Sequence, residues 1–242
     1  MTPFEKEIAS VVDTILQDYQ SQREIDRLEL YRNPDKDVVI DIIEKLRRIV
    51  FPGYFTDKNY RMYSAKNNLS MLIEDVMFNL TRQIALVYQS QGELEESAQR
   101  HAQDVCLAFF RQIPEVRSLV QTDLQAAYDG DPAATSIDEI IFSYPGVFAI
   151  TVYRLAHQLC LLGVPMIPRM MTEHAHNVTG IDIHPGAQIG NHFFIDHGTG
   201  SVIGSNAFIT HSIPPCTTVT IKNQELQLKS RGNCCEDGRD AF

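Results

Sequence analysis

Hydrophobic residues recur with two different periods along the chain, one up to position 165 and another after position 178. In the first part, apolar side chains are three and four residues apart, the spacing of one face of an α-helix. Examples are Ile8, Val11, Val12, Ile15, Val38, Val39, Ile42, Ile43, Leu46, Ile49 and Val50. Similar patterns cover 69–88 and 93–112, and Pro114 is expected to begin another helix that ends near Ala127. We therefore predict an all-helical amino-terminal domain over residues 1–165.

In the second part, isoleucine recurs at every sixth position. Ile183, Ile189 and Ile195 are six residues apart, and Ile203 and Ile209 continue the series after an offset of two residues. A period of six fits neither a helix nor a flat strand. It is typical of a parallel β-helix, in which each short strand contributes one inward aliphatic side chain and glycine allows the tight corners.

The predicted fold class is therefore α+β, with the helical domain first and a short β-helix after it. Three hexads form one triangular coil of about 18 residues, so within the predicted β-helix domain 166–222 the 44 residues of 178–221 hold only about two coils. A polar tail follows over residues 223–242. Two coils cannot bury their own open ends, so we expect trimerisation or capping by helices to matter for stability.

Composition and charge exclude several classes of protein. The chain has 21 basic and 31 acidic residues, a formal net charge of -10 and no long basic cluster, so we expect no nucleic-acid partner. The amino terminus, MTPFEKEIASVVDTILQDY, is acidic and amphipathic, unlike a signal or transit peptide, which favours a cytoplasmic location. The most apolar stretch, residues 145–168, contains Arg154 and His157 and is interrupted by Gly163 and Pro165. It is predicted to be a buried helix rather than a membrane span.

The five cysteines do not form the pattern of a disulfide framework or of a structural zinc site. They are Cys106, Cys160, Cys216, Cys234 and Cys235. Their spacing is irregular and lacks paired CxxC motifs, so free thiols are expected.

Four motifs, in this order, resemble those of bacterial serine O-acetyltransferases. They are DGDPA (129–133), PGVFAITVYRLAH (145–157), TGIDIHPGAQIG (179–190) and IDHGTGSVIG (195–204). The resemblance runs from about Leu46 to Gly204, and IDIHPGAxIG followed by DHGTG is far more specific than generic hexapeptide repeats.

The resemblance implies a helical domain used for oligomer contacts and a left-handed parallel β-helix that trimerises and binds acetyl-CoA between neighbouring coils. It implies acetyl transfer from acetyl-CoA, as co-substrate, to the hydroxyl of L-serine, giving O-acetyl-L-serine for cysteine biosynthesis. Members commonly form dimers of trimers, and many associate with O-acetylserine sulfhydrylase. Free cysteine often inhibits them at the serine site.

The resemblance also assigns the site residues. His197 matches the catalytic base and Asp182 its dyad partner, which would hold the imidazole tautomer and stabilise the imidazolium. Asp131 and Asp196 match the carboxylates that hold L-serine. Alternatives remain: Asp196 as a corner residue that bonds its own backbone, and Asp131 as the cap of a helix that begins at Pro132.

A metal site is weighed and not predicted. His174 and His176 are two residues apart and could chelate if they lay in a strand, but the spacing forces no third ligand. We interpret these two histidines and His192 as polar corner residues, and His184 as part of a turn in its motif. Arg154 and His157 are expected to pack on a helix surface.

After Gly204 the sequence departs from the family. Members continue with several coils that include a second histidine beside an arginine and the grooves for coenzyme A, whereas this chain proceeds to SNAFITHSIPP, which resembles the final coil. An internal deletion near Gly204 and Ser205 is the simplest account, and His211 belongs to the closing turn. The tail lacks the terminal isoleucine by which members engage the sulfhydrylase, which argues against that partner.

Two hypotheses about function follow. The first is a serine O-acetyltransferase whose shortened β-helix, or coils from trimer neighbours, still hold acetyl-CoA. The second is a catalytically silent or truncated relative that acts as an oligomerisation or regulatory subunit. Without an aligned thioester, the base has no acyl donor. A measurement of coenzyme A binding therefore distinguishes the two hypotheses, because the silent relative should bind none.

Overall fold

The computed structural model describes residues 2–21, 23–26, 33–55, 64–205 and 207–209. Within these ranges the helices are α1 Pro3–Asp18, α2 Lys36–Val50, α3 Ala65–Ser90, α4 Glu95–Gly130, α5 Ile137–Ser143, α6 Pro145–Leu161 and α7 Ile167–Thr179, with a 3-10 turn at Tyr19–Ser21. The strands are β1 Asp182–Ile183, β2 Gln188–Ile189, β3 Val202–Ile203 and β4 Phe208–Ile209. A helical part followed by short strands confirms the coarse prediction.

Some predicted features fall on residues outside the described ranges. These are the closing turn with His211, the thiols Cys216, Cys234 and Cys235, the end of the predicted β-helix and the tail 223–242. Of the cysteines that the structure describes, Cys106 and Cys160 are free thiols, as predicted.

The helical part differs from the prediction at two places. Pro114 lies inside the continuous helix α4 instead of starting a new one. Buried Ile113 and Val116 flank this exposed proline, so the apolar face continues past it and the missing amide falls on the solvent side. In addition, helix α7 continues to Thr179, beyond the domain boundary predicted at residue 165, and Gly180 ends it in the left-handed conformation (φ 72°).

Most of the helices share one hydrophobic core, while α1 buries no residue. Fully buried side chains in this core include Ile42, Leu46, Leu80, Ile84, Phe109, Leu155, Leu159 and Met171. They come from α2, α3, α4, α6 and α7. Most of the apolar stretch 145–168 lies in the buried helix α6, as predicted, while its last two residues begin α7. None of the helices in the described ranges combines the length and apolar character needed to cross a bilayer.

The strands pair in parallel from one turn of the chain to the next. Asp182 is opposite Val202, and Gln188 is opposite Phe208. One turn of the chain, from a strand residue to its partner, is therefore longer than the predicted coil of about 18 residues. The difference equals the two-residue offset in the isoleucine series. Because Ile183 and Ile189 keep the spacing of six, the two extra residues lie between β2 and β3.

Helix α6 covers the open end of the strand region. Its residues Ala149, Ile150 and Tyr153 share a core with Ile181, Ile183, Ala187 and Ile189. On the opposite side, the amides of Asp182, His184 and Gln188 donate to carbonyls of the next turn at 2.8–3.0 Å. The carbonyl groups on the other edge of these strands face away from the next turn, so they need hydrogen-bond partners from α6.

Three polar side chains of α6 supply the hydrogen-bond partners for these carbonyl groups. The Tyr153 hydroxyl donates to the carbonyl of Ala187 at 2.6 Å, and Nδ1 of His157 lies 2.7 Å from the carbonyl of Pro185. Arg154 donates to the carbonyls of Ile189 and Gly190. The expectation that Arg154 packs on a helix surface is wrong, because its side chain is 3% exposed. An arginine this deeply buried needs an anion beside it.

Asp123 of α4 is that anion. Its carboxylate oxygens lie 3.1 Å from Nε and 3.0 Å from Nη2 of Arg154, and Asp123 is as deeply buried as its partner. Oδ1 also accepts from the amide of Phe193 at 2.9 Å. Burial raises the pKa of Asp123, while the ion pair with Arg154 opposes this rise. The pair therefore joins α4, α6 and the segment that follows β2.

Replacing Arg154 with methionine would leave Asp123 buried without a counter-charge and two strand carbonyls without donors. We expect the free energy of unfolding to fall by about 3–5 kcal/mol, the usual cost of removing one partner of a buried pair. Urea unfolding followed by circular dichroism measures this loss. As a control, Arg169→Met removes ion pairs that are far more open to solvent, and it should cost less than the Arg154 variant. Equal small losses for both variants would contradict this role of Arg154.

Candidate functional site

The Asp131 carboxylate sits at the end of α4, where it is held by two donors. Oδ1 accepts from the amide of Ala133 at 2.8 Å, and the hydroxyl of Tyr144 donates to Oδ2. The alternative that Asp131 caps a new helix is wrong, because the next helix, α5, is capped by Ser136. The Tyr144 hydroxyl, the Ala133 amide and the charge of His197 all lower the pKa of Asp131.

Asp196 and His197 lie in the loop that carries the two extra residues between β2 and β3. Nε2 of His197 is 3.8 Å from Oδ1 of Asp196, and the His197 side chain is 96% exposed. The backbone of His197 is left-handed (φ 54°), and it is followed by left-handed Gly198 (φ 69°) and Gly200 (φ 84°). A non-glycine residue in this region is uncommon, and such strained positions cluster at functional sites.

Two glycines bring the end of α4 and the start of α6 against this loop. A Cβ on Gly130 would lie 2.9 Å from the ring of Phe194, and a Cβ on Gly146 would lie 2.8 Å from the carbonyl oxygen of Ile195. Real Cβ contacts are not this short, so both approaches depend on glycine. Gly130 precedes Asp131, while Ile195 precedes Asp196. The packing therefore places Asp131 near Asp196 and His197.

Tyr144 is a member of this site that the sequence reasoning missed. It lies between α5 and α6, directly before the motif that begins at Pro145, and this adjacency was the one available signal. Its hydrogen bond to Asp131, together with burial and the charges of Asp131, Glu139 and Asp196, raises the pKa of Tyr144 to about 12. The hydroxyl therefore remains a donor at neutral pH.

The structure does not bring Asp182 to His197. Instead, Oδ1 of Asp182 lies 3.3 Å from Nη1 of Arg169, which also pairs with Glu173. Among the hydrogen bonds and ion pairs of the described residues, none joins Asp182 with His197. The dyad predicted from the resemblance stays a prediction.

The surroundings of Asp182 have the composition of a cation site but already contain a cation. Donor atoms of Glu173, His176 and Asp182 all lie within 4.8 Å of one another. Arg169 pairs with both carboxylates and supplies their counter-charge, so we assign no metal there. His176 is also 3.3 Å from Glu173 within the same helix.

The other histidines have separate structural surroundings. His174 and His176 lie in helix α7, so the strand geometry considered for chelation is wrong. His174 packs edge-on against Phe148, and burial lowers its pKa. Nδ1 of His184 accepts from the amide of Gly186 at 3.0 Å, which confirms its place in a turn.

Comparison with known proteins identifies the family. No family model matches the chain. A plasmid-encoded serine acetyltransferase of Synechococcus elongatus is 40% identical over 200 residues, which cover 80% of this chain and 63% of the relative. The crystal structure of native serine acetyltransferase 1 from Entamoeba histolytica matches with a TM-score of 0.61 and 31% identity, over 86% of this chain and 73% of that chain. The chain belongs to the serine acetyltransferase family.

A second serine acetyltransferase structure supports the same assignment. Isoform 3 from Entamoeba histolytica, in complex with cysteine, has a TM-score of 0.61 and 36% identity, over 81% of this chain and 65% of that chain. The chain spans less than two thirds of the length of this structure and of the Synechococcus elongatus relative. The family predicted from the four motifs is confirmed.

A methyl group at Gly146 tests the close packing that assembles the site. Gly146→Ala would force the Ile195 backbone away, so we expect a loss of about 1–3 kcal/mol in the free energy of unfolding, the usual cost of overpacking. Alanine is the better helix former, so propensity alone would predict a gain. Thermal unfolding measures the change. Gly204→Ala is the matched control, because a Cβ added at Gly204 would have no atom within 4 Å. A stabilised Gly146→Ala would contradict the packing.

Proposed function

We propose that this chain is a serine O-acetyltransferase that transfers the acetyl group of acetyl-CoA to the hydroxyl of L-serine. The observation that carries the proposal is the convergence of Asp131, Tyr144, Asp196 and His197 from three separate segments. These include the residues that the family resemblance assigns to substrate binding and to the base. Membership of the serine acetyltransferase family is the second support.

The charge of the site suits an amino-acid substrate. Asp131 and Asp196, with Glu139 close to Tyr144, supply negative charge beside one histidine. An ammonium group of the substrate would neutralise part of this charge through charge-assisted hydrogen bonds. Asp131 is suited to accept it, because its low pKa keeps it a carboxylate at neutral pH.

His197 is proposed as the general base. A serine hydroxyl becomes a competent nucleophile only as its proton is removed, so His197 accepts that proton while the oxygen attacks the thioester carbonyl. The C–O bond forms, the C–S bond breaks, and coenzyme A leaves as a thiol with the proton returned. Asp182 is the dyad partner that the resemblance assigns, but it would have to exchange Arg169 for His197.

We further propose that the paired strands belong to a left-handed parallel β-helix in a trimer or a dimer of trimers. The parallel pairing and the helix that closes one end support a solenoid. Acetyl-CoA is the co-substrate in this proposal, and the cytoplasm is the location.

A second candidate function is favoured by the sequence after Gly204. The resemblance implies that coenzyme A binds in coils that do not follow Gly204 in this sequence, so a catalytically silent oligomerisation or regulatory subunit is the alternative. Calorimetric titration with coenzyme A separates the two proposals, because the silent subunit should bind none.

Loss of thioester absorbance with acetyl-CoA and L-serine tests the enzyme and its base together. We expect His197→Ala to lower kcat by about 10²–10⁴-fold, the usual contribution of a positioned base. His192→Ala is the matched control, since His192 is exposed and has the same left-handed backbone (φ 55°). It should retain wild-type turnover. Equal activity of wild type and His197→Ala would remove His197 from the mechanism, and no turnover in wild type would favour the silent subunit.

A further inference from the structure

We propose that Tyr144 is a positioning residue for serine recognition, whose hydroxyl holds the Asp131 carboxylate in the orientation that accepts the substrate ammonium group. The inference rests on the proposed function and deepens it. It adds to the site a residue that neither the motifs nor the resemblance assigned.

The two hydrogen bonds to Asp131 leave acceptor capacity for a ligand. Oδ1 receives one protein donor, the Ala133 amide, and Oδ2 receives another, the Tyr144 hydroxyl. A carboxylate oxygen can accept two hydrogen bonds, so each oxygen retains one acceptor position. Because both oxygens are anchored, the plane of the carboxylate is fixed before the substrate arrives, which lowers the entropy cost of binding.

Tyr144 itself is held firmly by its backbone. Its amide donates to the carbonyl of Ile140 in α5 at 3.1 Å, and its carbonyl accepts from the amide of Val147 in α6 at 3.2 Å. It is the last flanking residue of one helix and the first of the next. The side chain therefore reaches Asp131 from a fixed point, while its neighbour Gly146 packs on Ile195 beside Asp196.

The charges around the pair keep each partner in its working protonation state. Asp131, Glu139 and Asp196 disfavour ionisation of Tyr144, so its hydroxyl stays a donor. The same hydroxyl stabilises ionised Asp131, as does the positive form of His197. Tyr144 acts through Asp131, so its loss should weaken binding of L-serine more than it slows the chemical step.

Tyr144→Phe removes the hydroxyl and keeps the ring. We expect the KM for L-serine to rise about tenfold, in line with the loss of a hydrogen bond to a charged group. Both kcat and the KM for acetyl-CoA should change by less than about twofold, because the variant removes ground-state binding alone.

The pH dependence gives a second readout. Tyr144 lowers the pKa of Asp131, so its removal should raise that pKa towards the ordinary value. In the variant, protonation of Asp131 then competes with binding of the substrate ammonium group at a higher pH than in wild type. As pH falls, the KM for L-serine should therefore begin to rise at a higher pH in Tyr144→Phe than in wild type.

A double-mutant cycle separates positioning from a general loss of structure. Asp131→Asn should raise the KM for L-serine, and Tyr144→Phe added to it should cause no further rise. Tyr54→Phe is the matched control, because the Tyr54 hydroxyl also donates to an aspartate, Asp138, at 2.6 Å. It should leave the KM unchanged. Additive effects in the cycle, or an unchanged KM in Tyr144→Phe, would overturn the inference.

Two further measurements distinguish failure of this inference from failure of the proposed function. Calorimetric titration with L-serine needs no turnover, and weaker binding to Tyr144→Phe than to an inactive wild type would uphold the role of Tyr144 while refuting the acetyltransferase. Carboxyl NMR titration of Asp131 reports its pKa directly. An unchanged Asp131 pKa in Tyr144→Phe, or no serine binding by wild type, would overturn the inference.

Discussion

Arg154 donates to carbonyls at the edge of the strand region that α6 covers, and its buried ion pair with Asp123 ties that edge to helix α4. A short stack of strands has an open end with unpaired carbonyls, and these groups are costly to bury without donors. One arginine satisfies two of them while Asp123 neutralises its charge. The same aspartate accepts a hydrogen bond from the amide of Phe193 and so fixes the first part of the site loop, ahead of Asp196. The ion pair therefore links the packing of helices on strands to the position of the site.

The site lies where three connections meet at the surface. Asp131 follows α4, Tyr144 separates α5 from α6, and Asp196 with His197 occupies the loop enlarged by two residues. Charged groups are kept at the surface because their burial is expensive, while Gly130 and Gly146 allow the rigid elements beneath to approach closely. The helices and strands joined by the Arg154–Asp123 pair thus carry the polar groups of the site on loops whose ends are held close together.

Particular elements show how far sequence reasoning reaches. The three-and-four spacing of apolar residues identified most of the helices but not α5 or α7, and the period of six identified the strands, because both patterns are set locally by backbone geometry. Pro114 gave a wrong boundary, since a buried face on both sides overrides a local helix breaker on the solvent side. The offset between Ile195 and Ile203 was visible, but its effect, the pairing of Asp182 with Val202 across an enlarged loop, appeared only when the strands were paired.

The sequence by itself determined most of the helical part and the strand period, because these follow from local periodicity. The resemblance of its contiguous motifs indicated the family and the candidate residues Asp131, Asp182, Asp196 and His197. Only the tertiary structure decided that buried Arg154 joins Asp123 to two carbonyls of the strand region, that Tyr144 donates to Asp131, and that Asp182 lies beside Arg169. These contacts join residues that are 13 or more positions apart, and no local pattern encodes which distant group satisfies a buried charge or a free carbonyl.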